Sequence, residues 1–190
     1  MAKKESSLKN MIISLVVISF AASLALGGIY NLTKEPIAVA VKAKQENAIK
    51  EVLPEFDSLY SYKTMPETGK DSVSINQAFK GDTLVGTAIG TYSDIGYTAT
   101  QIQLMVGFLP DTSIQNISVV QQNETPGLGT KMKEPKFKDQ FNKKNPEEFV
   151  LKVKKDGGQV DAITAATISS RAFCDAVDRA YKSYQKKGGK

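Results

Sequence analysis

Residues 11–30 contain no charged side chain and are dominated by Ile, Leu, Val, Ala, Gly and Phe. As a helix such a run rises about 30 Å, the thickness of a hydrocarbon core, so it reads as one membrane span. Lipid offers no partner to a backbone N–H or C=O, and a lone segment satisfies its own backbone there only as a helix. Lys3, Lys4 and Lys9 precede the run against Glu5 alone, whereas Lys34 beyond it is balanced by Glu35. That bias places residues 1–10 in the cytoplasm, 11–30 across the cell inner membrane and 31–190 on the extracytoplasmic side. A cleaved leader is the competing account, with Ser23-Leu24-Ala25 as a small-residue cleavage site. The apolar run continues past that point through Leu26 and Ile29, which favours a retained anchor. Ala21, Ala25 and Gly28 share one helical face suited to packing against another span.

After the span, Pro36 at a first helical position opens an Ile/Ala/Val/Lys pattern that runs to Leu53 and stops at Pro54. Ile37, Val41, Ala48, Ile49 and Val52 are its apolar positions for packing on the following domain. Residues 58–79 are polar and read as a loop. From Asp82 the pattern turns strand-like at 84–89, 101–106 and 114–120, with β-branched enrichment and partial alternation. Leu109-Pro110-Asp111-Thr112 is a turn signal that pairs the last two as an antiparallel hairpin. Residues 149–153 are a further strand candidate before the Asp156-Gly157-Gly158 turn. With helices at both ends, the expected class is α+β: one N-terminal transmembrane helix, then an extracytoplasmic domain with a small antiparallel sheet flanked by helices.

The chain has no His and a single Cys, Cys174. Imidazole-ligated haem, zinc sites with His and cysteine-ligated iron-sulfur clusters are therefore excluded or nearly so, as is any nucleophile activated by an imidazole base. An electron carrier bound here must be organic. Cys174 falls among apolar helix positions and reads as a buried, inert thiol. No metal ligands and no acid-base catalytic residues are assigned.

Asp161-Ala162-Ile163-Thr164-Ala165-Ala166-Thr167 stands directly before a helical pattern in which Phe173, Ala176, Val177, Ala180, Tyr181 and Tyr184 recur at intervals of three and four. Thr167 is thus expected at a helix N-terminus, where free N–H groups and the macrodipole favour an anion, and Ala165 and Ala166 admit close backbone approach. On spacing alone, the run reads as an N-cap. Glu124-Thr125-Pro126-Gly127-Leu128-Gly129 is a second dense segment; Pro126 presets its φ, and Gly127 and Gly129 allow a tight turn with N–H groups facing a ligand. By itself it is a Pro-Gly turn.

Together, the two segments resemble the FMN-binding domain shared by the G subunit of the Rnf electron-transport complex and the C subunit of the sodium-pumping NADH:quinone oxidoreductase. The first resembles the signature Asp-x-x-(Ser/Thr)-(Gly/Ala)-Ala-Thr, at which a flavin transferase esterifies FMN phosphate to a threonine. The resemblance covers nearly the whole chain and implies covalent FMN on Thr167, with Asp161 and Thr164 in the recognised signature and Ser169 near the phosphate. Ala165, Ala166 and Ile168 belong to the same site, and Ala165 stands where many relatives have Gly. The other loop would contact the flavin: Glu124 and Thr125 at polar groups of the ring or ribityl chain, Leu128 on the isoalloxazine face, Gly127 and Gly129 by backbone. Gly96-Tyr97 resembles the start of a Gly-Tyr-Gly segment common in that family, but Thr98 interrupts it, so residues 96–100 are assigned no flavin contact. The implied function is electron relay within an Rnf complex that couples ferredoxin and NAD to ion movement. Its partners would be the other Rnf subunits, a flavin transferase and membrane lipid. Length favours the Rnf family over the quinone reductase; an anchored binding module without redox activity is the alternative of another class.

The net charge of +5 is local. Residues 131–155 hold the Lys excess, interrupted by Pro135 and Pro146 and interleaved with Phe137, Phe141 and Phe149, which reads as a solvated, partly helical face and not as a nucleic-acid site. Lys131 and Lys133 follow the Gly127–Gly129 turn closely enough for one of them to neutralise the flavin phosphate or a reduced ring.

Overall fold

The computed structural model describes residues 7–188, with side chains to residue 186; Lys3, Lys4 and Glu5, which set the expected orientation, lie outside the described residues. By its internal contacts the chain divides into two units, Met1–Ala43 and Lys44–Lys190. Helix α1 spans Leu8–Val52. Among the described residues it is the one helix long and apolar enough to cross a membrane. Pro36 does not begin a new helix but lies inside this one. Its ring removes one N–H from the helix ladder and crowds the carbonyl four residues back, at a cost of about 3 kcal/mol; one turn earlier Thr33 Oγ1 donates to Ile29 O at 2.8 Å. Of the five apolar positions expected to pack, Ala48, Ile49 and Val52 belong to the second unit and are buried within it.

The second unit is built on an antiparallel meander, in spatial order β1-β2-β3-β4-β5. The strands are β1 (Ser58–Thr64), β2 (Val73–Lys80), β3 (Thr83–Ser93), β4 (Ile102–Phe108) and β5 (Ile114–Gln121). β1 and β2 occupy the stretch expected to be a loop, and they pair in register from Ser58↔Phe79 to Thr64↔Val73. Their polar residues hide the signal: Ser74 and Asn76 alternate with Val73 and Ile75, and Asn76 is buried because its Nδ2 donates to Ala88 O. The β4–β5 hairpin turns as expected, with Thr112 N donating to Leu109 O at 3.0 Å.

Both faces of this sheet are covered. On one face Ala48, Ile49, Val52 and Leu53 pack on Ala78, Ala88, Met105 and Val120. Backbone and sheet meet so closely there that a Cβ on Gly107 would strike Val52 O. On the other face lies α3 (Thr167–Gly188). Its Phe173, Ala176, Val177, Ala180 and Tyr184 share one core with Ile75, Ile89, Leu104, Val106 and Phe108, matching the expected helical stripe. Thr91 Oγ1, inside that interface, donates to Ala176 O at 2.9 Å.

Between β5 and α3 the chain forms short pieces: 3-10 turns at Gly129–Lys133, Asp139–Phe141 and Lys154–Asp156, and a one-turn helix α2 (Pro135–Lys138). Phe137, Phe141 and Phe173 pack ring against ring, at 5.1 to 6.0 Å between centroids, and anchor this segment. Residues 149–153 do not join the sheet. Leu151 and Val153 are buried in the core, but the strand-like pairing there is an isolated parallel bridge, Val153↔Val160. An apolar run of five carries the same pattern in a strand or in a loop that plugs a core. The α+β class, with a small antiparallel sheet flanked by helices, stands as expected.

Candidate functional site

Sheet register sets the site. Ser93 pairs with Ile102 and Gln103 with Gln121, so the 94–101 connection and the 122–129 segment leave the sheet at the same end. The first turn of α3 lies against both. Between them opens a groove of about 500 Å³, lined by Tyr97, Glu124, Thr125, Leu128, Gly129 and residues 165–169. The two segments singled out in sequence, some forty residues apart, therefore meet along one surface.

Thr167 is the first residue of α3 and is half-buried, with Ala166 buried before it and Ile168 exposed after it. The N-cap reading fails here, because neither the Thr164 nor the Thr167 hydroxyl has a protein hydrogen-bond partner among the described residues. Ser170 closes the turn instead: its Oγ accepts from Ile163 N at 2.9 Å and donates to Ala166 O at 3.0 Å. That leaves Thr167 Oγ1 unengaged beside the unbonded N–H groups of a helix N-terminus. Ala165 sits at φ 62°, in the left-handed region. A residue lacking Cβ is the unstrained choice there, which gives a physical reason for Gly at this place of the signature.

The opposite wall is the 124–129 loop. Gly127 turns it at φ 75° but does not line the groove. Its N–H donates to Thr130 Oγ1 at 3.0 Å, and Leu128 N donates to Thr125 O at 3.1 Å, so these amides serve the turn and not a ligand. Glu124 is only 3% exposed, and both its oxygens are engaged by protein: Oε1 accepts from Thr98 N and Thr98 Oγ1, each at 3.2 Å, and Oε2 accepts from Ser169 Oγ at 2.5 Å. Glu124 and Ser169 thus engage each other instead of lying open toward ring and phosphate.

Sequence reasoning missed Tyr97. It lies on the groove at 70% exposure, together with Leu128 at 38% and Ile168 at 45%. Three large apolar side chains around one concave surface suit the faces of a planar aromatic ring. The interrupted Gly-Tyr-Gly pattern diverted attention to the residue after Tyr97. The signal that mattered was an exposed aromatic in a connection anchored at its base, where Ser93 Oγ donates to Asp175 Oδ2 at 2.7 Å. Arg179 is buried beneath, donating to Thr68 O and Tyr92 O and pairing with Asp175 at 3.1 Å.

Asp161, Thr164 and Lys131 are not part of the groove. They border a neighbouring depression of about 180 Å³ together with Lys136, Phe137 and Gln140. Asp161 pairs with Lys154 Nζ at 2.8 Å, and its N–H donates to Gln140 Oε1 at 2.8 Å, which holds the approach to Thr167 in place. A larger depression of about 690 Å³, bordered by Val150, Cys174 and Tyr181 among others, contains none of the motif residues. The Cys174 thiol is pushed up to about 12, first by burial and then by the charges of Asp156 and Asp175, and is inert at neutral pH.

The groove is concave, with apolar side chains and the start of α3 on its rim. Residues 96–182 match the FMN-binding domain family, so the second unit carries an FMN-binding domain. The chain is 34% identical over 174 residues to the G subunit of the ion-translocating oxidoreductase complex of Methanosarcina acetivorans, covering 90% of this chain and 91% of that protein. It is 30% identical over 197 residues to the corresponding protein of Aliivibrio fischeri, covering 95% and 93%. The crystal structure of Shewanella oneidensis NqrC aligns with a TM-score of 0.45 at 20% identity, covering 64% of this chain and 62% of that one. The chain belongs to the family of G subunits of ion-translocating oxidoreductase (Rnf) complexes.

Proposed function

We propose that this chain is a single-pass membrane subunit that relays electrons within an ion-translocating ferredoxin:NAD oxidoreductase complex, through FMN esterified by its phosphate to Thr167 Oγ1. The observation that carries the proposal is Thr167 itself: an unengaged hydroxyl at the start of a 22-residue helix, on a groove also lined by Tyr97, Leu128 and Ile168. FMN supplies a ring that accepts and returns electrons, in a chain whose lack of His and single buried Cys leave few ligands for a redox metal. The α3 N-terminus favours the phosphodiester monoanion that this attachment leaves. Tyr97, Leu128 and Ile168 cover the ring and limit its contact with water. Attachment through the phosphate leaves ring electronics to these neighbours and keeps the cofactor from diffusing away.

Asp161 and Thr164, beside but outside the groove, would be read by the flavin transferase together with Thr167. Lys131, on the adjacent depression, would meet the phosphate only from that side. The Lys excess on the N-terminal flank of the span supports a cytoplasmic N-terminus, with the FMN-binding domain on the extracytoplasmic side of the inner membrane, in contact with lipid and with the other subunits.

In-gel fluorescence tests this. Full-length protein co-expressed with a flavin transferase should give a fluorescent denatured band, lost in Thr167→Val and unaffected by removing soluble flavin. A dark wild-type band with normal expression would replace the proposal with an anchored binding module.

A further inference from the structure

We infer that Glu124 is a positioning residue, a carboxylate whose reach, rather than its charge, sets the geometry of the flavin groove. This role rests on the FMN reading above. Glu124 is almost fully buried, and its side chain ties the walls together: Thr98 beside Tyr97 on one side and Ser169 in the first turn of α3 on the other. Its own backbone belongs to the third wall, the 124–129 loop. Two glycines make room for it. A Cβ on Gly96 would lie 2.8 Å from Glu124 Oε1, and one on Gly129 would lie 2.9 Å from Oε2 and 2.6 Å from Glu124 Cβ. The carboxylate is thus enclosed at fixed length by backbone from two segments, with both oxygens bonded to Thr98 or Ser169.

Reach and charge are separable by two substitutions. Gln has the length of Glu; its Oε1 accepts the two Thr98 bonds and its Nε2 donates to Ser169 Oγ, which turns to accept. Asp keeps the charge but is one methylene short, and cannot bridge Thr98 and Ser169 together. A role in positioning therefore predicts that Glu124→Gln keeps the groove and Glu124→Asp opens it. A role in electrostatic tuning of the flavin predicts the reverse.

The experiment uses full-length protein co-expressed with a flavin transferase, purified in detergent and compared at equal flavin content. The readouts are the visible circular dichroism of the flavin, which reports a fixed asymmetric environment, and its midpoint potential. The expected result is that Glu124→Asp loses most of the visible dichroism and shifts in potential, while Glu124→Gln stays close to wild type in both. Retention of the signal by Asp with loss by Gln overturns the inference, and so does an unchanged signal in both. If Glu124→Asp does not fold, Ser169→Ala carries the same test by removing one donor, and an unchanged dichroism there overturns it equally. Failure of the covalent reading is seen separately, as a wild-type Thr167 peptide without an FMN increment. In that case the same variants are titrated with free FMN, where Asp should bind about tenfold more weakly than wild type, in line with breaking the bridge between Thr98 and Ser169 by one buried hydrogen bond, and Gln should not.

Discussion

Gly129→Ala probes the meeting of the two motif segments most sharply. The added Cβ would stand 2.6 Å from Glu124 Cβ, 2.6 Å from Ser169 Oγ and 2.9 Å from Glu124 Oε2, where ordinary contact begins at 3.4 Å. Ser169 could rotate, but Glu124 Cβ is fixed to the backbone, so the loop itself must move. Overpacking of this kind costs about 1–3 kcal/mol. Movement also pulls Glu124 Oε2 from Ser169 Oγ at 2.5 Å, and leaving a buried partner unsatisfied costs about 1–3 kcal/mol. The two effects share the same displacement and are not additive, so about 2–4 kcal/mol is expected in all. For a chain of this size that lowers Tm by roughly 5–15 °C. Thermal unfolding of the full-length protein in detergent, followed by far-ultraviolet circular dichroism, measures it. Gly127→Ala is the control: at φ 75° it meets no neighbour within 4 Å, so it carries only left-handed strain of about 1–2 kcal/mol. If Gly129→Ala is no worse than Gly127→Ala, the 124–129 loop is not seated on Glu124 and α3 as described.

Ala165→Gly relieves the strain at φ 62° on an exposed position; a left-handed cost of about 1–2 kcal/mol against an entropic cost of about 0.5–1 predicts a Tm higher by about 1–4 °C. A lower Tm would mean that the Ala165 methyl packs usefully in the groove. Cys174 is expected to resist maleimide at pH 8 in the folded protein and to react once unfolded, because burial holds its thiol near 12; intact mass reads the label, and fast labelling of the native protein would contradict the packing of α3. The Arg171 guanidinium bonds Asp156 at 2.7 Å through two nitrogens and holds its carboxyl below the ordinary 3.8. A depressed folded value means that the contribution is present above 3.8 and is lost as pH falls through the folded value, so wild type and Asp156→Asn should differ slightly near neutrality in urea unfolding and converge in acid. Both side chains reach solvent, and high salt should shrink the difference.

Where a single face of an element was buried, its periodicity made it legible. α3 starts at Thr167 and buries Phe173, Ala176, Val177, Ala180, Tyr181 and Tyr184, as their spacing required. β3, β4 and β5 likewise carry enough Ile, Val and Leu to read as strands. β2 did not, because its buried places include Asn76 and Ala78, which pack or bond without looking apolar. Residues 149–153 misled for the converse reason, being apolar enough to fill a core yet paired only at Val153.

Within the site, Thr167, Thr125, Leu128 and Gly129 were legible from two short motifs and do share a groove. What sequence could not place was the division of labour. Glu124 and Ser169 bond each other, Asp161 is tied to Lys154 and Gln140, and Tyr97 enters from a connection positioned by sheet register. Each of those facts depends on segments distant in the chain, and no local pattern encodes them.

Peptide mass spectrometry of the Thr167 region, on protein taken from its native membrane, tests the central claim most directly. A peptide heavier by one esterified FMN, with fragment ions placing the increment on Thr167, is the predicted result. An unmodified peptide from flavin-replete membranes, or the increment on another hydroxyl such as Thr164, contradicts it.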